Sequence, residues 1–279
     1  TAVGETPGRE QVNRLREPSR VKLMAQLKTD EQMPKQNFDI IMGEINNSLT
    51  QGKKGLTWPL PSPVDVPRAK QPVTVDGVLD DAVWKRAATF KGLYRFNQAE
   101  KLDDPKTTWR IAWDDRNLYF AFDCADRDIV APLKERDDTV YFDDCVEMFI
   151  LPDFRFRTYW ELVIGPSASI YDSVQCKAPD GWGSSARPAE NIAGLQVGVK
   201  VIGSLNDSTD EDTGYTVEVA VPFDQLPGYT RTGPAVGDTL RFMLVRLDRD
   251  QGKFNVYAYQ PLLSWGHNVW NHAVMNLVE

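Results

Sequence analysis

Histidine and cysteine are scarce in this chain of 279 residues: His267 and His272 are the two histidines, and Cys124, Cys145 and Cys176 the three cysteines. Two histidines are little raw material for a histidine-based triad or a zinc centre. The histidines lie five apart near the C-terminus and read as closing-loop residues. Three scattered cysteines are too few for a disulfide scaffold, and no Cys-x-x-Cys-His haem attachment is present. A single bridge between Cys124 and Cys145, each at the edge of an expected strand, is left open. No apolar run reaches the length a bilayer-crossing helix needs, so no transmembrane segment is expected. Excess basic charge is also missing. The net charge is −8, with Lys and Arg interspersed among acids, which excludes a nucleic-acid partner that needs a basic stripe.

What is present is 42% hydrophobic and 26% charged residues, enough for one large domain with a core plus an appendage. The chain opens at Thr1 on a polar stretch with no basic and apolar leader. That reads as a processed end, left by removal of a secretory signal or by trimming of the chain; the signal is the favoured reading, with a periplasmic or secreted location as the expectation. Neither Thr1 nor Ala2 is the glycine of a myristoylation signal or the cysteine of a lipoprotein.

Residues 1–70 differ in kind from the rest, holding Pro7, Pro18, Pro34, Pro59, Pro61, Pro63 and Pro67 among many charges. They predict an extended, irregular N-terminal arm with short helices. Phe38, Ile41, Met42, Ile45 and Leu49 fall at i, i+3, i+4, i+7 and i+11, one apolar stripe on a helix near 37–50 that Asn37 opens and Gly52 stops. A weaker helix is read through Val21–Lys28, and Trp58-Pro59-Leu60-Pro61 as an extended connector. The stripe packs either on its own domain or on a protein partner, and the sequence leaves both open.

From residue 71 to 279 the pattern becomes short strands between turn signals, as an all-β antiparallel sandwich of about 10–12 strands requires. Thr107–Trp113 alternates, Asp114-Asp115-Arg116-Asn117 turns, and Leu118–Phe122 alternates again, which predicts a hairpin. Further strands are read at Cys145–Leu151, Thr158–Ile164, Ser169–Tyr171, Gln196–Ile202, Tyr215–Val221, Thr239–Leu247, Phe254–Tyr259 and Val274–Val278. One short helix is expected over Asp81–Ala88, capped by Asp80. No βαβ alternation appears, which argues against a nucleotide-binding parallel sheet.

Five segments carry a family resemblance in order: Val75-Asp76-Gly77-Val78-Leu79-Asp80-Asp81-Ala82-Val83-Trp84, Trp113-Asp114-Asp115-Arg116-Asn117-Leu118-Tyr119-Phe120-Ala121-Phe122, Phe142-Asp143-Asp144-Cys145-Val146-Glu147-Met148-Phe149-Ile150, Gly214-Tyr215-Thr216-Val217-Glu218-Val219-Ala220-Val221-Pro222-Phe223, and Gly237-Asp238-Thr239-Leu240-Arg241-Phe242. Over residues 73–279 the chain resembles the family 9 carbohydrate-binding modules, with a jelly-roll-like sandwich as the implied fold. In the first segment, Asp76-Gly77 is read as a turn and Trp84 as a plug for one end of the sandwich.

The resemblance implies a non-catalytic module that stacks a sugar end between two aromatic rings, because sugar C–H faces pack on π surfaces. Tyr141 stands where the family places one aromatic, Glu147 matches a glutamate that accepts from vicinal hydroxyls, and Trp265 or Trp270 is the second clamp ring. Trp182, in a Gly-rich loop, is a further candidate. Near Glu161 the family would supply a basic contact, and an acid stands there instead. Calcium is implied for some members, with Asp126, Asp128, Asp143 and Asp144 as the matching ligands. The acidic run Asn206–Asp212 lacks an EF-hand pattern and reads as a solvated loop. Haem ligation by Met243, Met275, His267 or His272 has little support. A glycosidase pair is not indicated, since the distinctive acids fall on turns and family-typical structural positions. The alternative function is a structural or accessory subunit of a larger extracytoplasmic assembly, free or membrane-associated, docked through the arm.

Overall fold

Alternation in Thr107–Trp113 and Asn117–Ala125 sends every second side chain to one face, and the two segments pair antiparallel with Trp109 opposite Phe122 and Ile111 opposite Phe120. In the computed structural model the described residues are 62–279, apart from 92, 96–100, 103–106, 153–157, 178–183, 188–190, 228, 230–232, 251–252, 262–265, 268 and 270–271. The arm helices expected near 21–28 and 37–50, with Phe38, Ile41, Met42, Ile45 and Leu49, lie outside them. Among the described residues no helix is long and apolar enough to cross a membrane.

The strands are β1 (Val64–Pro67), β2 (Ala88–Lys91), β3 (Leu93–Arg95), β4 (Lys101–Leu102), β5 (Thr107–Trp113), β6 (Asn117–Ala125), β7 (Cys145–Leu151), β8 (Thr158–Ile164), β9 (Ile170–Lys177), β10 (Ser184–Arg187), β11 (Gln196–Ile202), β12 (Gly214–Pro222), β13 (Thr239–Asp250), β14 (Lys253–Ala258) and β15 (Ala273–Val278). A smaller sheet runs β11-β12-β6-β5-β2, and a larger one β10-β9-β8-β7-β13-β14-β3-β4 with β15 also on β13. Strand β1 joins the larger sheet by pairing parallel with β15, so the sheet takes in Val64–Pro67, four residues that the composition assigns to the arm. The core lies between the sheets, where Trp109, Phe120, Phe122, Val217 and Val219 of the smaller meet Met148, Ile150, Leu162, Phe242 and Leu244 of the larger.

The larger sheet is buried on its other face too. Cys145, Phe149, Leu151, Tyr159, Val163, Met243, Val245 and Leu247 form a second apolar layer under the segment that holds Val269. Hence every residue of β7 is buried. Cys124 belongs to the inner core and Cys145 to this outer layer, so the larger sheet separates them. Both are free thiols, and the bridge left open by the sequence is not formed. Met275 and Met243 are divided in the same way, which keeps the four candidate haem ligands from converging.

The opening motif differs from its sequence reading. In place of a capped helix over Asp81–Ala88 there is one 3-10 turn, Ala82–Lys85, whose N-cap is Asp81 without a side-chain cap bond. Asp81 instead accepts from the Thr74 N–H at 2.7 Å. Trp84 is buried as expected, but against Tyr119, Ala121 and Ala220 on the outside of the smaller sheet, not at the end of the sandwich. Its Nε1 donates to Glu218 at 2.6 Å, and the same carboxylate accepts from the N–H groups of Asp76 at 3.0 Å and Gly77 at 2.8 Å. Three donors converge on one buried acid, so Glu218 ties the first motif to the fourth across the fold. Gly77 has φ +86°, and a Cβ there would meet the Val199 backbone at 2.6 Å.

Candidate functional site

The outer layer of the larger sheet is apolar except where β7, β8 and β9 meet. Register places Val163 between Glu147 and Tyr171, and Glu161 between Phe149 and Ser173. Glu147 and Glu161 are therefore diagonal neighbours on one face. Gln175, opposite Tyr159, extends the polar surface one pair further. The 3-10 turn Val140–Phe142 brings Tyr141 over this surface, its ring edge-on to Tyr171 at 5.4 Å.

Glu147 is 1% exposed, and neither of its carboxylate oxygens has a hydrogen-bond partner. Burial first, and then the charge of Glu161, push its carboxyl well above the ordinary range. Glu161, 5% exposed, is better supplied. Its Oε2 accepts from Gln175 at 2.5 Å, and its Oε1 lies 3.4 Å from His267 Nε2. His267 is itself oriented by the Tyr159 hydroxyl, 2.9 Å from Nδ1. The imidazole stands edge-on to Phe149 at 5.3 Å, and its neighbour Gly266 lies so close to that ring that a Cβ would overlap it. His272 closes the segment by donating from Nε2 to the Gly266 carbonyl at 2.6 Å. Burial and the charges of Glu161 and Glu147 raise the Tyr141 hydroxyl, and burial followed by Glu161 raises that of Tyr171 to about 12. The surface thus offers acidic acceptors within an aromatic and aliphatic wall.

Of the sugar residues expected from sequence, the fold brings Tyr141 and Glu147 together; Trp182, Trp265 and Trp270 lie outside the described residues. Glu161 faces the site, as its place in the strand implies. Ser173, Gln175, Tyr171 and His267 were not expected. Alternation in Tyr171-Asp172-Ser173-Val174-Gln175 was the available signal, masked by polar residues that made the strand look as if it ended at Tyr171.

The four aspartates considered for calcium divide. Asp126 and Asp144 meet Asp248, with one oxygen of each within 4.8 Å of the others. Asp143 instead accepts from the Leu133 N–H at 2.9 Å, and Asp128 from the Ser208 hydroxyl at 2.8 Å. Arg246, fully buried, stands among the cluster. Its Nη2 lies 2.9 Å from Asp126 and 2.7 Å from Asp248, and its Nη1 donates to Thr107 at 3.0 Å. Asp144 accepts from the N–H groups of Val130 at 2.6 Å and Arg249 at 2.5 Å. Burial raises Asp126 to about 6, against the pull of Arg246, and raises Asp144 to about 8, with the charge of Asp126 adding. Asp248 and Arg246 were missed because their shared face appears only once β13 is paired. In the acidic run, Asp212 is buried and structural, accepting from the N–H groups of Ile129 at 2.9 Å and Ser204 at 2.7 Å, whereas Asp207, Asp210 and Glu211 are solvated as expected.

Comparison with solved structures finds the same fold at low identity. A Bacteroides uniformis protein described as a candidate carbohydrate-binding protein aligns with TM-score 0.60 and 12% identity, covering 78% of this chain and 99% of that one. A carbohydrate-binding module of family 9 from Caldicellulosiruptor kristjanssonii, in complex with cellotriose, aligns with TM-score 0.50 and 15% identity, covering 78% and 94%. The same family and organism supply a glucose complex with TM-score 0.49 and 14% identity, covering 76% and 95%. No curated protein matches the chain. The model of the carbohydrate family 9 binding domain-like family matches residues 75–260, more than half of the chain, and the chain belongs to that family.

Proposed function

We propose that this chain is a non-catalytic sugar-binding module whose ligand lies on the outer face of the larger sheet, against Tyr141, Glu147, Glu161, Tyr171 and His267. The observation that carries the reading is Glu147, buried beside an aromatic wall with both oxygens unpartnered. A buried acceptor of this kind is costly unless a ligand donor meets it. Family membership and the cellotriose bound by a module of the same fold support a saccharide as that ligand. Tyr141 provides one stacking face, and Trp265 or Trp270 is assigned the opposite one, with Trp182 as a flanking contact. Such modules act outside the cytoplasm, and a periplasmic or secreted location belongs to the proposal.

A glycan array followed by calorimetry tests it. The expected result is saccharide binding that Tyr141→Ala weakens by about tenfold or more, the scale of one lost stacking contact. Failure of the intact chain to bind any glycan overturns the reading.

Calcium is the cation proposed for Asp126 and Asp144, joined by Asp248. Their fit to it is poor as they stand, because Arg246 occupies oxygens of Asp126 and Asp248 that a six- to eight-coordinate ion would need. The guanidinium and the ion compete. Calorimetric titration with calcium is expected to give weak binding to the intact chain and tighter binding to Arg246→Gln; equal affinities would refute the competition.

A further inference from the structure

We infer that the saccharide taken by this face carries a free amine, its ammonium seated between Glu147 and Glu161. The inference rests on the sugar-binding reading above and names the ligand class of the same site.

Two carboxyl groups share one buried patch, at 1% and 5% exposure. Glu161 has Gln175 and His267 for partners, while Glu147 has both oxygens without a hydrogen bond. The other groups facing this patch are the hydroxyls of Tyr141, Tyr159 and Tyr171, the Cys145 thiol, and the imidazoles of His267 and His272. The two arginines on this face of β13 are committed elsewhere. Arg241 donates to the His272 carbonyl at 3.3 Å, and Arg249 reaches the Phe142 carbonyl and covers the Phe254 ring at 4.9 Å. Among the described residues, no lysine or arginine compensates the pair.

A neutral sugar would leave this imbalance in place. Its hydroxyls can donate to Glu147, but the two adjacent carboxylates then share the His267 imidazole as their one charge partner among the described residues, or one keeps a proton. An ammonium supplies the missing charge together with three N–H donors, and charge-assisted bonds are the stronger kind. The aromatic wall agrees, because the negative face of a tyrosine ring attracts a cation. An amino sugar joins these two demands in one residue: a pyranose face for Tyr141 and an ammonium for the glutamates.

The test is calorimetry on the full chain at about pH 6, below the ~8 of an α-amino-like amine, so that the ligand amine is charged. The ligands are a β-1,4-linked glucosamine trimer, its N-acetylated counterpart, cellotriose, glucosamine and free lysine. The expected result is that the glucosamine trimer binds at least about tenfold more tightly than cellotriose or the acetylated trimer. Glu161→Gln, which keeps the size of the side chain and its contact with Gln175, should bring the three to parity. Equal or tighter binding of cellotriose by the intact chain overturns the amine while leaving the sugar module standing. Lysine binding as tightly as glucosamine overturns the amino-sugar assignment in favour of a general amine site. Binding of no saccharide at all removes the sugar module and this inference with it.

Discussion

Carboxyl groups buried in this fold have three fates that their residue type alone does not distinguish. Glu218 receives three donors and serves as a structural clasp. Asp126 shares a guanidinium. Glu147 is buried with neither oxygen hydrogen-bonded. Asp144 has the clearest consequence for pH. Burial raises its carboxyl from an ordinary 3.8 to about 8, so the folded chain holds a proton that the unfolded chain releases above its own, lower value. Its stabilising contribution is full below about pH 4 and is lost as pH rises through about 8. Thermal unfolding in the presence of a chelator is expected to show stability falling by on the order of 2 kcal/mol between about pH 6 and about pH 8, with Asp144→Asn flattening that slope. A slope unchanged in the variant would assign the dependence to other groups.

Among the elements, β7, β8 and β13 are covered on both faces, and their sequences show it: Cys145–Leu151 is a nearly unbroken apolar run interrupted by Glu147. The acid within this run is the same Glu147 that the family resemblance singles out. The covering segment is held by close approach, since Gly266 touches the Phe149 ring. Gly266→Ala is expected to cost about 1–3 kcal/mol in chemical denaturation, the range for overpacking, and to move His267 away from Glu161. Ligand affinity should fall with it. An alanine variant as stable as the parent would show that the segment shifts freely. The expected strands at Thr107–Trp113, Cys145–Leu151, Thr158–Ile164 and Gln196–Ile202 match the observed bounds because their alternation or apolar density is strong. Strand β9 extends well beyond its expected end, because its outward positions carry the polar residues of the site. The expected helix at Asp81–Ala88 became a single turn because Ala88 already belongs to β2, paired with Ile111 of β5, and the Asp81 carboxylate accepts from Thr74 instead of capping the turn.

Over the whole molecule, the sandwich begins with β1 at Val64 and is closed by β15, its parallel partner. Among the described residues, every strand finds its partners without a residue before Ser62. A chain beginning at Ser62 is expected to keep its melting temperature by scanning calorimetry and its saccharide affinity, and to lose only what the Phe38, Ile41, Met42, Ile45 and Leu49 stripe provides. A lowered melting temperature would mean that the stripe packs on the sandwich; an unchanged one, with loss of a co-purifying subunit, would support the accessory-subunit reading of the arm.

The sequence by itself determined the all-β class, most strand positions and the family, and it singled out Tyr141 and Glu147 as candidates that the fold brings onto one surface, because period-two alternation and short motifs are local properties of the chain. The tertiary structure decided which acids meet. Glu147 and Glu161 are 14 positions apart in sequence, while Asp126 and Asp248 are separated by most of the domain. Only strand order and register put the first pair on one surface and set Arg246 inside the second group. Whether a buried charge becomes a clasp, an internal ion pair or a ligand contact depends on which donors the fold brings to it, and that pairing is a long-range property of the folded chain.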